Sequence, residues 1–196
     1  MKLIFFGLLA ALSCAASPAA ADATAAAVAA KARDGRHDFD GEIGVWQTRL
    51  KRLRNPLGGS NEWLAYEGTT LVRRAVDERA NLVELDVSGA AGRIAGVSMR
   101  LYHPASGQWS LHFANLANGE MTDSMQGAFA NGRGVFYGHD TVAGRRVFVR
   151  FLVIPQHRDQ WRFEQAYSAD GGKTWEDNWI AVDTRSVPAA DHKVRQ

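Results

Sequence analysis

The chain has 196 residues, 23 Lys and Arg against 21 Asp and Glu, a formal net charge of +2, and 46% hydrophobic residues with six Trp and nine Phe. A balance this close gives no electrostatic footprint for nucleic acid. One cysteine, Cys14, excludes an intrachain disulfide and a cysteine-only metal site.

The first 21 residues have the three parts of a secretory signal peptide. Lys2 is the positive start, residues 3–12 form an apolar run, and Pro18 precedes Ala19 and Ala21, the small residues a signal peptidase accepts. Ten apolar residues are too few to span a bilayer, which takes about 20. Cleavage is expected near Ala21, giving a periplasmic or secreted protein without cysteine. The alternative is a lipoprotein anchored at Cys14, although Ala11 stands where a lipidation signal favours Leu. Residues 22–36 form an Ala-rich linker without an amphipathic stripe, residues 37–186 one domain, and residues 187–196 a polar tail.

Within the domain the pattern is β throughout. Ten segments rich in Val, Ile, Phe, Tyr and Trp fall at 43–53, 62–73, 81–87, 93–102, 109–115, 124–130, 134–138, 145–154, 160–168 and 175–184. Short turn signals separate them, among them Asn131-Gly132 and Asp170-Gly171-Gly172. Short connections force antiparallel neighbours, and nothing with helical spacing leaves room for crossovers. The expected fold is all-β: an antiparallel up-and-down (meander) barrel of about ten strands, closed so that no edge is exposed. A ring of ten strands is wide enough to hold a cavity.

Gly44-x-Trp46 opens the first strand. Together with the strand count and the late Asp-Gly-Gly-Lys-Thr-Trp hairpin, it resembles the calycin group, the lipocalin-like and nitrobindin-like barrels, and in particular bacterial families of unknown function. The resemblance covers about residues 37–185. It implies structural roles for Gly44, where the chain bends, and Trp46, which closes one barrel end, and it implies an internal pocket without naming a reaction. Residues 168–175 match the Asp-box pattern S-x-D-x-G-x-T-W. Asp170 would accept backbone N–H groups, Gly172 would take positive φ, and Trp175 would pack under the turn. One copy in so short a chain points to a hairpin device and not to a propeller.

Two registers place polar residues. Pairing Leu152 with Phe163 and Gln165 with Asn178 puts Phe148, Leu152, Trp161 and Phe163 on an inner face, with Arg150, Gln165 and Asn178 across its middle. Arg150, Gln165, Asn178 and Trp161 are then ligand-binding candidates, with Arg150 meeting an anionic or carbonyl group, because an unpaired buried Arg is costly. Alternatively Glu164 or Asp177 neutralises Arg150, or a slip of one residue moves the polar three to solvent. Pairing Arg100 with Leu111 and Tyr102 with Trp109 makes Arg100 a second candidate. The opposite choice buries Val97, Met99, Leu101 and His112, and periodicity does not decide between them.

His112 and Glu164 are the acid–base candidates. The six histidines lack metal-binding spacing, so no metal is expected, and no cofactor; a haem on His112, as in nitrobindin-like barrels, is the alternative. No nucleophile elbow, P-loop or Rossmann glycine set occurs. Arg49, Lys51, Arg52 and Arg54 make a basic rim at the end of the first strand. The expected partner is a small molecule, with no nucleic acid and no membrane span, for a monomer or homodimer. Three readings follow: a ligand-binding barrel, a cofactor-independent lyase, isomerase or hydrolase using the same pocket, or a filled structural or partner-binding envelope protein.

Overall fold

The computed structural model describes residues 34–186. The signal segment, most of the Ala-rich linker and the polar tail lie outside the described residues. The strands are β1 Gly44–Leu53, β2 Trp63–Arg74, β3 Ala80–Gly89, β4 Gly92–His103, β5 Gln108–Asn115, β6 Glu120–Met121, β7 Met125–Ala130, β8 Arg133–Val142, β9 Arg145–His157, β10 Gln160–Ser168 and β11 Glu176–Arg185. Each expected segment forms a strand; β6, a two-residue flap on β5, is additional.

The β strands other than β6 pair antiparallel with their chain neighbours. β1 also pairs β11, and β4 pairs β5, so the sheet closes into a ten-stranded meander barrel. Closure satisfies the backbone groups that an edge would leave open. The turns use the expected chemistry: Asn131 and Gly132 have φ of 52° and 77°, as a two-residue hairpin loop requires.

Alternation along the strands defines the interior. Trp46, Thr48 and Leu50 of β1 face inward, as do Tyr66, Thr70 and Val72 of β2, Asn81, Val83 and Val87 of β3, and Phe136 of β8; all are buried. The end where β1 begins is closed. There a 3-10 turn, Asp40–Glu42, and the residues before it fold under the barrel. Phe39 is fully buried, edge-on to Trp109 and Phe129 at centroid distances of 5.0 Å. The floor reaches back to Gly35, whose N–H donates to the Tyr102 hydroxyl and whose carbonyl accepts from the Trp109 indole.

The last three strands depart from the expected register. Phe163 pairs with Val153 and Gln165 with Trp179, each one residue from the expected partner. Irregularities at Gln160/Trp161 and Gln165/Ala166 reset the count. Val147, Val149, Phe151 and Val153 therefore face inward with Ala181 and Asp183. Phe148, Arg150, Leu152, Ile180 and Val182 face outward. The β4–β5 register is the first of the two weighed: Arg100 opposite Leu111 and Tyr102 opposite Trp109.

Candidate functional site

The barrel floor holds a buried polar cluster. Arg100 is 4% exposed and Glu42 fully buried, and they form a forked ion pair at 2.5 and 3.0 Å. The Arg100 guanidinium also lies 4.2 Å from the centre of the Phe39 ring. The 3-10 turn supplies Glu42 at this point because Trp46 holds it, donating its indole N–H to the Glu42 carbonyl at 2.6 Å. Asp183 faces the same floor from β11, opposite Thr48 and Trp161. Burial pushes its carboxyl up to about 7; the Thr48 hydroxyl opposes the rise, the Glu42 charge adds to it, and Arg100 and Thr70 oppose it. Its Oδ1 is buried without a hydrogen-bond partner. Thr48 and Thr70 bond each other at 2.6 Å. With Glu42 and Arg100 cancelling and Asp183 protonated in mild acid, the floor carries no net charge.

Above the floor the interior changes character. Leu64, Leu85, Ile94, Phe113, Phe151 and Trp179 point inward by register, yet each is only half-buried. In a filled barrel they would be as inaccessible as Trp46 or Phe136, both fully buried. The upper half is thus a cup with an apolar, aromatic lining. Its polar side chains include Arg52, opposite Leu64 and Trp179, Ser98, opposite Phe113, and an amide pair: Gln165 Nε2 donates to Asn178 Oδ1 at 2.9 Å. Asn178 is the extra residue of the β10–β11 bulge, and its Nδ2 is buried without an acceptor.

The sequence-derived site residues are brought together only in part. Gln165 and Asn178 meet, as hydrogen-bonded neighbours. Trp161 lies inside but at the floor, 4% exposed. Arg100 lies inside, but Glu42 already occupies its guanidinium. Arg150 is not in the interior. It pairs with Tyr137 and Ala166 on the outer wall, its guanidinium 4.8 Å from the Trp175 ring centre and 3.9 Å from Asp177. The one-residue register difference is the cause. His112 and Glu164 also face outward; His112 contacts Ser110 at 3.3 Å, and Glu164 accepts from Arg162 at 2.5 Å. Neither reaches the floor cluster or the cup. Among the described residues no group of three His, Cys, Asp or Glu could hold a metal ion, and no helix is long and apolar enough to cross a membrane.

The structural residues have clear local roles. Gly44 has φ 135°. The Asp170 carboxylate accepts the Lys173 and Thr174 N–H groups at 3.0 and 2.9 Å and the Thr174 hydroxyl at 2.7 Å, which holds it well below the usual carboxylate range. Trp175 donates to the Gly172 carbonyl, and Gly172 has φ 86°. Sequence reasoning missed Glu42, Asp183 and Arg185. The available signals were weak: a Glu two residues before Gly44, and an Asp and an Arg alternating at the end of the last strand.

The molecule is thus a closed antiparallel meander barrel with a sealed floor and a cup. No family model matches the sequence, and no curated protein matches it. Among solved structures, the S-type phycobiliprotein lyase of Guillardia theta superposes with a TM-score of 0.57 at 9% identity, covering 80% of this chain and 96% of that one. A de novo designed fluorescence-activating β-barrel aligns with a TM-score of 0.39 at 9% identity, over 74% of this chain and 93% of the design. The first likeness establishes a lipocalin-like barrel fold, and at this identity it establishes the fold alone.

Proposed function

We propose that the protein binds a small, largely apolar and uncharged molecule in the upper half of the barrel. The carrying observation is the ring of inward-facing side chains from Leu64 to Trp179 that remain half-buried. Apolar surface left open inside a barrel favours an occupant of matching chemistry. The Gln165–Asn178 amides suit a carbonyl or hydroxyl on that molecule, with the buried Asn178 Nδ2 lacking an acceptor. An anionic group fits only at the mouth, where Arg52 shares the face of Leu64 and Trp179; deeper in, Arg150 is outside and Arg100 is neutralised. The Guillardia theta neighbour on the same fold is a phycobiliprotein lyase.

Titration with a neutral, environment-sensitive dye such as Nile red tests this. Saturable binding is expected, abolished by Leu85→Trp, which fills the cup, and weakened by Gln165→Leu. Absence of saturable binding, or binding indifferent to Leu85→Trp, overturns the proposal. We further propose export, on the sequence of residues 1–21. N-terminal sequencing of the protein from its native cell envelope tests it: a start near Asp22 supports release at Ala21, a blocked Cys14 a lipid anchor, and Met1 neither.

A further inference from the structure

The inward positions of β9 run from Phe151 through Val149 and Val147 to Arg145 toward the mouth. On β10 the position after Gln165 is Tyr167, opposite Val149. Phe151 and Gln165 line the cup and are half-buried. Val149, Val147 and Tyr167, the next positions out, are buried. Their cover from across the mouth is Leu57, on the β1–β2 connection, which packs on this cluster. Beyond Leu57 a space of about 320 Å³ remains between the connection and the β8–β9 hairpin, with Pro56, Leu57, Val142 and Val147 in its walls. Leu57 therefore stands between the cup and a second apolar space, and one run of inward positions on β9 passes beneath it from the first to the second.

The connection is lightly held. Its base is the Arg54 N–H on the Glu62 carbonyl at 2.9 Å, and within it the Gly58 N–H donates to the Asn55 carbonyl at 3.2 Å. Among the described residues, the hydrogen bond that ties residues 55–61 to the rest of the barrel is Leu57 N–H to Glu176 Oε2, at 2.5 Å. Leu57 holds a left-handed φ of 60°, uncommon for a non-glycine residue. Backbone strain kept at one position, with the side chain seated in the mouth, is the mark of a residue placed for a purpose. The charges around the outer space balance: Arg54 and Arg145 line it, and the carboxylates of Glu176 and Asp140 stand beside Leu57 and Tyr167. An apolar, uncharged chain is the occupant such a space favours.

We infer that Leu57 sets the length of the uncharged ligand that the cup accepts, by closing the cup at Val149 and Tyr167 and shutting off the space beyond. This role deepens the proposed function and rests on it. With Leu57 in place, a ligand in the cup ends against its side chain. With a shorter side chain there, an apolar tail extends over Val149 and Val147 into the outer space.

Displacement of Nile red from the whole protein by straight-chain 2-alkanones of increasing length tests the inference. In the parent, affinity is expected to rise about fourfold per added methylene and to level off where the chain meets Leu57. In Leu57→Ala the rise is expected to continue, so that the longest ketones gain at least about tenfold over the parent while the shortest are unchanged. Leu57→Gly, free of the backbone strain, is expected to do the same, and Leu57→Phe, with a larger side chain, to bring the break to a shorter chain. A leucine that only stabilised the connection would move all lengths alike. The inference is overturned if the parent shows no break, if the Leu57 variants keep the parent's break, or if they shift every length by the same factor. A parent that binds neither Nile red nor ketones overturns the cup reading and this role with it. Nile red binding that Leu85→Trp abolishes, with a break that the Leu57 variants do not move, overturns this role alone.

Discussion

The guanidinium of Arg185, at the end of the last strand, lies 4.1 Å from the centre of the Trp46 ring on the first. The same group donates to the carbonyls of Ile43 at 3.1 Å, Gly41 at 2.7 Å and Arg158 at 3.1 Å, and to Asp159 at 3.2 Å. It thus joins the floor turn, the first strand and the β9–β10 turn where the barrel seals. Only a planar guanidinium stacks on a ring while donating in several directions. Arg185→Ala is expected to cost roughly 2–4 kcal/mol in urea denaturation, and Arg185→Lys to recover less than half of that. Full recovery by Lys would mean that charge alone acts there.

Asp183 predicts an unusual pH dependence. Its carboxyl is raised from 3.8 to about 7, chiefly by burial. The folded chain therefore holds a proton that the unfolded chain releases above about 4. This contribution to stability is complete below pH 4, falls between about pH 4 and 7, and is absent above. A rise of this size corresponds to about 4 kcal/mol. Asp183→Asn keeps the shape and cannot ionise. The stability difference between the Asp183→Asn variant and the parent should grow in favour of the variant from pH 4 to pH 7. A difference independent of pH would show that Asp183 is ionised in the fold.

How much of this was legible in the sequence follows from particular residues. The strands and turns were readable because Gly, Pro and Asn interrupt ten apolar segments, and short turns leave few topologies. The β9–β11 register was not. Both faces of β9 are apolar: Val147, Val149, Phe151 and Val153 on one, Phe148, Leu152 and Ile154 on the other. Counting apolar residues cannot choose between them, and the inner face carries the acid, Asp183. Two irregularities then shift the pairing, and no local pattern marks them. The amide pair was found because Gln165 and Asn178 are joined across the bulge in spite of the slip. Glu42 was missed because a three-residue turn delivers it, and its partner Arg100 is 58 residues away. The Arg150 argument was sound as electrostatics, and its premise that Arg150 faces the interior was what failed.

Gly68 on β2 marks a place where two strands approach too closely for a side chain. A Cβ there would lie 2.1 Å from the Asp86 carbonyl oxygen and 2.7 Å from Val87 Cα, both backbone atoms. Gly68→Ala must push β3 away and is expected to cost more than about 3 kcal/mol or prevent folding. Gly132→Ala is the control. Its φ is 77° with nothing within 4 Å, so only backbone strain of about 1–2 kcal/mol applies. Comparable melting temperatures for the two variants would show that the β2–β3 approach is not constrained.

The ion pair of Glu42 and Arg100 should behave as a unit. Glu42→Gln leaves a buried guanidinium without its counter-charge, and Arg100→Met leaves a buried carboxylate; each is expected to cost about 3–5 kcal/mol. The double variant removes both charges and should cost less than the sum of the singles by about 2 kcal/mol or more. A second readout comes from Asp183, because Glu42 raises its carboxyl and Arg100 lowers it. Glu42→Gln should move the pH midpoint of the Asp183 effect toward acid, and Arg100→Met toward alkali. Additive stability losses with an unmoved midpoint would mean that the three groups do not share one field at the barrel floor. A large coupling with opposite midpoint shifts would establish that Glu42 and Arg100 tune the Asp183 carboxyl in opposite directions, on top of the rise that burial causes.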